Sequence, residues 1–205
     1  MKRLLTGLAI ATATLSASAA PMTMIADHSA GWQYHRIGAD LWPAWSTVNY
    51  VTYQANAGSS PWLMGQAGFG NGAGDATPWA ANTDLALRHY FNFSGTAADL
   101  LLNVAVDNGF AAFLNGTQIG KSNAEGYTSY WEYAINVAPS LLVQGLNVLE
   151  VLAEDHGGLT YFDLKLSSSN VTANGVPVPA TLSLVALGLL GAFRFTPRGG
   201  AGKAA

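Results

Sequence analysis

Residues 100–116 read LLLNVAVDNGFAAFLNG, two short apolar runs that are each followed by a turn signal. The first run, residues 100–106, is apolar almost without interruption and predicts a buried strand. Asp107-Asn108-Gly109 predicts a tight turn, residues 110–114 a second strand, and Asn115-Gly116 a two-residue hairpin turn of the primed type. This stretch therefore predicts antiparallel β-structure.

The same pattern continues on both sides of this stretch. Residues 85–93 alternate between apolar and other side chains, and residues 146–153 and 159–166 are rich in β-forming residues. Few segments have helical periodicity, and turn signals recur at a spacing of roughly 8–12 residues, which is typical of all-β proteins. We predict one all-β domain over residues 20–166.

Two motifs in this domain resemble the galactose-binding-like β-sandwiches. Residues 107–116, DNGFAAFLNG, resemble the D-[DN]-G-x₃-[FY]-[VL]-N-G motif of that family, and residues 141–149, LLVQGLNVL, resemble its L-L-x-G-x-N-V-[IL] stretch. The resemblance implies a jelly-roll sandwich of about eight or nine antiparallel strands. Related sandwiches commonly bind a structural calcium ion, so the resemblance also implies that this domain could bind one.

The composition excludes several kinds of protein. There is no cysteine, which excludes disulfides, thiolate metal sites and cysteine nucleophiles. The formal net charge is −3, but five of the nine Lys and Arg residues lie near the chain ends, whereas all twelve Asp and Glu residues lie between positions 27 and 163. The other four basic residues lie at positions 36–165, so residues 27–165 have a formal charge of −8. Such an acidic domain predicts no nucleic-acid partner.

The first 19 residues have the layout of a secretory signal peptide. Lys2 and Arg3 form the positive n-region, residues 4–15 the apolar h-region, and Ala17-Ser18-Ala19 the small-residue cleavage site. We expect a signal helix over residues 1–19 that signal peptidase removes after Ala19. The alternative is a buried N-terminal helix.

The C-terminal segment, residues 176–205, carries a second targeting pattern. Pro177-Val178-Pro179 is followed by an apolar run at 180–193 and then by Arg194 and Arg198. As a helix this run would reach only about 21 Å, short of a bilayer core of about 30 Å. The arrangement resembles the PEP-CTERM sorting signal of Gram-negative bacteria, with Val178 where that signal has Glu.

The resemblance implies processing by an exosortase, a membrane protease-transferase, at a sorting motif that comprises Pro177, Val178, Pro179 and Arg194. The short hydrophobic helix would anchor the protein transiently in the inner membrane before delivery to the cell envelope, cell surface or extracellular matrix. The polar residues 167–175 are the expected linker to the β domain. A plain C-terminal membrane anchor is the alternative.

Exposed aromatic side chains are the candidates for a binding site, because sugar rings stack their C–H faces on flat aromatic rings. Trp42 and Trp45 flank Pro43, which favours an irregular loop, and loops commonly carry binding residues. Tyr130 and Trp131 form a second aromatic pair. These four residues are the predicted carbohydrate-binding residues. The alternative is that such large rings belong to the core.

Metal binding and catalysis have weaker sequence support. Oxygen ligands suit calcium, and Asp107 and Asp155 are the candidate ligands for a structural calcium ion. An Asx turn would select Asp107 as well. The sequence has neither the H-E-x-x-H zinc motif nor the G-x-S-x-G elbow of serine hydrolases, and no other cofactor is expected.

We therefore predict a secreted, surface-sorted and non-catalytic β-sandwich protein that binds carbohydrate or exopolysaccharide. One alternative is a structural or adhesive matrix protein without a small ligand. A third interpretation is a secreted glycoside hydrolase, which needs two carboxylates facing each other across a cleft. The acidic residues available for that role are Glu125, Glu132, Glu150 and Glu154.

Overall fold

The computed structural model describes residues 18–38, 40–42, 44–58, 61–123 and 130–174. The chain divides into two compact units, residues 1–174 and 175–205, and every described residue belongs to the first. The predicted signal helix up to residue 17 and the predicted sorting segment therefore lie outside the described residues. At its described end the helix prediction is wrong, because Ala19 is the first residue of a strand. In the part of the chain that is described, no helix has the length and hydropathy needed to cross a membrane.

The described residues are mostly β-structure, with one short α-helix, α1 (Tyr50–Ala57), and 3₁₀ helices at Ala44–Thr47 and Pro139–Leu141. The strands are, in chain order, β1 (Ala19–Ile25), β2 (Ala30–Ile37), β3 (Leu63–Gln66), β4 (Phe69–Gly70), β5 (Thr77–Pro78), β6 (Asp84–Phe93), β7 (Thr96–Ala97), β8 (Leu101–Asp107), β9 (Gly109–Leu114), β10 (Thr117–Ser122), β11 (Tyr133–Asn136), β12 (Gly145–Glu154) and β13 (Tyr161–Thr172).

These strands form two sheets. Sheet A has the order β11-β8-β13-β4-β5, and β1 and β7 also pair with β13. Sheet B has the order β10-β9-β12-β6-β2-β3. The described pairings are antiparallel except for β4 with β5. The prediction of a mainly antiparallel β domain is confirmed.

The main hydrophobic core lies between the two sheets. Successive side chains of a strand point to opposite faces of its sheet, so Val104 and Leu164 from sheet A meet Leu85, Leu87 and Val151 from sheet B in one buried cluster. The two sheets are thereby packed into a β-sandwich. Each sheet keeps an outer face, and these two outer faces point away from each other.

A second, smaller core covers part of the outer face of sheet B. Strand β9 is buried along its whole length, because Phe110 and Ala112 face the main core whereas Ala111 and Phe113 face the segment that contains α1. Helix α1 begins after Asn49, whose side chain accepts hydrogen bonds from two N–H groups of the first turn. The sequence did not predict this helix.

The two motifs that resemble galactose-binding-like domains contact each other. Asn115 and Gly116 both have positive φ, +50° and +80°, as the predicted hairpin turn requires. The Asn115 amide donates to the Asn147 side-chain oxygen at 2.9 Å, and the Val148 N–H donates to the Asn115 side-chain oxygen at 3.0 Å. The hairpin turn is thus tied to β12, which begins within the second motif.

The predicted linker at 167–175 is wrong for residues 167–172. These residues continue β13 to Thr172, and they pair with β1 from Ala19 onward. Their polar side chains mislead because this part of the strand is partly exposed, and a polar residue that is buried is satisfied by hydrogen bonds. Ser168, for example, is almost fully buried and donates to the Asp99 carboxylate at 2.6 Å.

Candidate functional site

Trp45 is not at the surface, so that part of the predicted binding site is wrong. The residue lies in the 3₁₀ helix over sheet B and is completely buried in the smaller core. Its indole N–H donates to the Ser122 carbonyl oxygen at 3.1 Å. Trp45 therefore fixes this segment on the sheet by burying a large ring.

Trp42 lies at the surface, with 39% of its area exposed. Its ring stacks on His156, with ring centres 4.7 Å apart and planes inclined by 21°. The Trp42 backbone N–H donates to the Asp40 carboxylate at 2.8 Å. Because His156 covers one face of the indole, at most one face is open to a ligand.

Tyr130 and Trp131 lie together, just before β11, and they belong to a larger group of rings. The Tyr130 ring centre is 4.4 Å from that of Trp131, 6.1 Å from Tyr161 and 6.2 Å from His28, whose ring is nearly parallel to it. Tyr130 is 39% exposed, and more than half of the His28 side chain is exposed. We call these four residues, His28, Tyr130, Trp131 and Tyr161, the aromatic platform.

Asp163 lies beneath the aromatic platform and holds it in place. Its carboxylate is completely buried. The Tyr130 hydroxyl donates to it at 2.5 Å, and the His28 backbone N–H lies 3.2 Å from both of its oxygens. The His28 ring Nδ1 is 3.1 Å from the same carboxylate. One buried acid thus positions two of the four rings.

The protonation of this cluster follows from its burial. Burial raises the pKa of the Asp163 carboxyl, while the hydrogen bonds from Tyr130 and from backbone N–H groups act in the opposite direction. Burial, together with the hydrogen bond to Asp163, also raises the pKa of the Tyr130 hydroxyl above its ordinary value. The Tyr130 hydroxyl therefore keeps its proton and remains a donor to Asp163.

The aromatic platform lies on the outer face of sheet A. Phe162 and Leu164 of β13 point into the core, so Tyr161 and Asp163, which alternate with them, point outward. The alternation of β13 is visible in the sequence and could have placed Tyr161 on this face. His28 arrives by the loop from β1 to β2, and no local pattern signals its contact with a residue 135 positions away.

The predicted calcium ligands are not brought into a group of metal ligands. Asp107 ends β8 in sheet A, whereas Asp155 follows β12 in sheet B. One Asp155 carboxylate oxygen already accepts hydrogen bonds from the Asn82 and Gly157 N–H groups, at 2.6 and 3.2 Å. Among the described residues, no cluster of three or more His, Asp or Glu side chains could hold a metal ion. Calcium binding stays a prediction.

The fold defines the class of this protein as a two-sheet β-sandwich. No family model matches the sequence, and no curated protein matches it either. The fold is similar to parts of several solved structures. One is the β-glucuronidase of an uncultured Clostridium species, with 10% identity and a TM-score of 0.47, where the match covers 78% of this chain and 30% of the other.

Two shorter domains are also similar in structure. The PA14 domain of the antifreeze protein MpAFP has 13% identity and a TM-score of 0.35, with 82% of this chain and 93% of that domain covered. The PA14 sugar-binding domain from an RTX adhesin has 15% identity and a TM-score of 0.30, with 69% and 75% covered. All three TM-scores are below 0.5.

Proposed function

We propose that this protein binds a neutral polysaccharide on the aromatic platform and does not cleave it. The observation that carries the proposal is the position of Tyr130, a ring that is 39% exposed and contacts three other rings on an open sheet face. The C–H faces of a sugar carry partial positive charge and are attracted to the negative face of an aromatic ring.

The support beneath the platform adds to this argument. Tyr130 is held by its hydrogen bond to Asp163, which is itself fixed by the backbone N–H groups of His28 and Leu164. A ring that is already ordered loses little entropy when a ligand binds. The aromatic platform is therefore preorganised for a flat partner.

Charge narrows the class of polysaccharide. The region from Asp27 to Lys165 has four basic and twelve acidic residues and a formal charge of −8. An acidic domain repels a polyanion at long range. A neutral polymer avoids this repulsion, and its hydroxyl groups can reach the polar groups around the rings.

Affinity electrophoresis of the purified protein against a panel of neutral polysaccharides tests the proposal. We expect retardation of the wild type, and at least a tenfold weaker affinity for Tyr130→Ala, because aromatic residues at the centre of a binding surface contribute about 2 kcal/mol or more each. Trp42→Ala is the matched control, since Trp42 has the same exposed fraction, 39%, and lies outside the platform. Tyr130→Phe keeps the ring and should retain most of the binding.

Two outcomes would overturn the proposal. If no polysaccharide retards the wild type, the protein is better described as a structural or adhesive matrix protein without a small ligand. If Trp42→Ala loses binding and Tyr130→Ala does not, the site is at Trp42. Release of reducing ends during incubation with a bound polysaccharide would show a glycoside hydrolase instead.

We also propose that the chain is exported and sorted to the cell surface by its two terminal segments. The support is the layout of residues 1–19 and of residues 176–205, with Pro177, Pro179 and Arg194. Deletion of residues 177–205 should abolish surface delivery in a host that contains an exosortase, and Val178→Glu should be processed at least as well as the wild type. Unchanged delivery after the deletion would contradict this proposal.

A further inference from the structure

A groove lies between helix α1 and the outer face of sheet B, on the opposite side of the sandwich from the aromatic platform. It encloses about 240 Å³. The described side chains that line it include Tyr53 and Gln54 from α1, Trp62 from the segment that follows, and Arg88 and Glu150 from the sheet. We call it the α1 groove.

Glu150 supplies a carboxyl group in which one oxygen lacks a partner. It lies directly opposite Arg88 in the pairing of β12 with β6. Its Oε2 atom is buried and receives no hydrogen bond from any described residue. Burial raises the pKa of the Glu150 carboxyl, although a hydrogen bond from Tyr50 and the positive charge of Arg88 oppose the shift. A buried carboxylate oxygen without a donor is costly, so a donor from a ligand would be favourable here.

Arg88 supplies donors that lack acceptors. Its guanidinium carbon lies 3.9 Å from the centre of the Trp62 ring, and its Nε donates to the Gln33 side-chain oxygen at 2.7 Å. Both contacts fix the plane of the guanidinium. Within the described residues no carboxylate forms an ion pair with Arg88, and its two terminal amino groups have no acceptor.

The two side chains in the α1 groove with polar atoms that lack hydrogen-bond partners, Glu150 and Arg88, therefore carry opposite charges. An anion would suit Arg88 but would be repelled by Glu150, and a cation would suit Glu150 but would be repelled by Arg88. A hydroxyl group both donates and accepts, so neighbouring hydroxyls on one molecule can serve both residues. The volume is smaller than the roughly 300 Å³ at which pockets for drug-sized ligands begin, which suits a single ring.

We propose that the α1 groove binds one neutral sugar ring, such as the end of a glycan, with hydroxyl groups donating to Glu150 and accepting from Arg88. The side chains of Trp62 and Tyr53 would border the ring. This site is separate from the aromatic platform and stands independently of it.

Tryptophan indole N–H signals in ¹H–¹⁵N spectra of the full chain test this proposal, because Trp62 reports the α1 groove and Trp131 reports the aromatic platform. The spectra are recorded without sugar-based detergent, and Trp62→Phe and Trp131→Phe assign the two signals. The probes are the methyl α-glycosides of glucose, galactose and mannose. We expect at least one of them to shift the Trp62 signal until the shift saturates, with a dissociation constant on the order of millimolar.

Variants connect that shift to the two unmet groups. Glu150→Gln has the same size and should raise the dissociation constant at least tenfold, and Arg88→Lys, which keeps the charge but loses the planar donor pair, should do the same. Tyr130→Ala should leave the Trp62 response unchanged. The signals of the buried Trp32 and Trp79 show whether each variant is folded, and Arg88→Lys serves as the readout if Glu150→Gln does not fold.

The outcomes separate the two proposals. A silent Trp62 signal with every glycoside, or a Glu150→Gln variant that binds like the wild type, would overturn the α1 groove proposal. Sodium acetate offers acceptors without hydroxyl donors, so a Trp62 shift with acetate alone would overturn the ligand class. A Trp131 response to polysaccharide with no Trp62 response to glycosides would leave only the platform, and the reverse result would leave only the groove.

Discussion

At the start of β6, Asp84 buries a carboxyl group completely between two loops. One of its oxygens accepts a hydrogen bond from the Leu41 N–H at 2.9 Å, and the other accepts one from the Asp155 N–H at 3.2 Å. Asp84 thus ties the segment before the 3₁₀ helix at Ala44–Thr47 to the end of β12. Burial raises the pKa of the Asp84 carboxyl to about 6, against a usual value of 3.8.

This raised pKa predicts a stability that falls as pH rises. In the unfolded chain Asp84 titrates near 3.8, and in the folded protein near 6, so protonation favours the folded state. The contribution is complete below about pH 4 and is lost as pH rises through 6, a change of about 3 kcal/mol at 1.36 kcal/mol per pKa unit. Urea unfolding of the wild type between pH 4.5 and 7.5 should show about 2 kcal/mol of this fall, because the rest occurs below pH 4.5. Asp84→Asn should reduce it.

Asp99→Asn is the control for this measurement. Hydrogen bonds from Ser168 and Ser169 lower the pKa of the exposed Asp99 carboxyl, so any stability that it contributes is lost only below its ordinary pKa, outside the range measured. The slope of the free energy of unfolding against pH should be the same for Asp99→Asn as for the wild type. An unchanged slope for Asp84→Asn would contradict the prediction.

Among the strands, β13 connects the largest part of sheet A. It pairs with β8 and β7 on one side and with β1 and β4 on the other. Residues 167–172 of β13 pair with β1, Ala19 lying opposite Thr172 and Thr23 opposite Ser167. Strand β1 therefore depends on a segment whose polar composition indicates a linker.

Truncation tests whether this segment is structural. A chain that ends at Leu166 should have a free energy of unfolding at least about 3 kcal/mol lower than a chain that ends at Asn174, because several ladder hydrogen bonds of about 0.5–1.5 kcal/mol each are lost. The buried side chain of Val171 is lost with them. Urea unfolding of the two truncated chains provides the comparison, and equal midpoints would show that residues 167–172 are a linker after all.

Local signals made some elements predictable and left others hidden. The hairpin of β9 and β10 was predictable because Asn115-Gly116 determines the turn by its own backbone preferences. Helix α1 was not, because its stability comes from packing Tyr53 and Ala57 on sheet B rather than from an apolar stripe along the helix.

The candidate site shows the same division. Tyr130 and Trp131 were predictable as an aromatic pair, but the sequence could not distinguish them from Trp45, which is buried. Exposure depends on which segment covers which sheet face. His28 joins the platform through Asp163 across 135 residues, and such a tertiary contact leaves no periodic signal in the chain.

For the molecule as a whole, the two proposed sites lie on opposite outer faces of one sandwich. The aromatic platform is on sheet A, and the α1 groove is on sheet B. A rigid domain with two ligand sites that point in opposite directions cannot place both on the same short stretch of glycan. It can join two separate chains instead.

This arrangement predicts cross-linking of polysaccharide. The wild type should raise the viscosity of a branched neutral polysaccharide solution to which it binds, because one glycan end can occupy the groove while another chain lies on the platform. Tyr130→Ala and Glu150→Gln should each retain one mode of binding without raising the viscosity. Sedimentation of the free protein must accompany the viscosity measurement to give its oligomeric state, since a dimer could cross-link polysaccharide through a single type of site. A viscosity increase that survives in a monomeric single-site variant would contradict the prediction.

The pairing of Ala20 with Val171 puts the two ends of the proposed exported domain side by side on neighbouring antiparallel strands. Ladder hydrogen bonds run perpendicular to the strands. Tension applied between the two ends would therefore break the hydrogen-bonded residue pairs of β1 and β13 one after another. Tension between a bound ligand and the C-terminal end alone would instead pull along β13, loading its hydrogen bonds to both neighbours in shear at the same time. A domain held only by its C-terminal end is thus loaded in the direction in which its sheet resists force best.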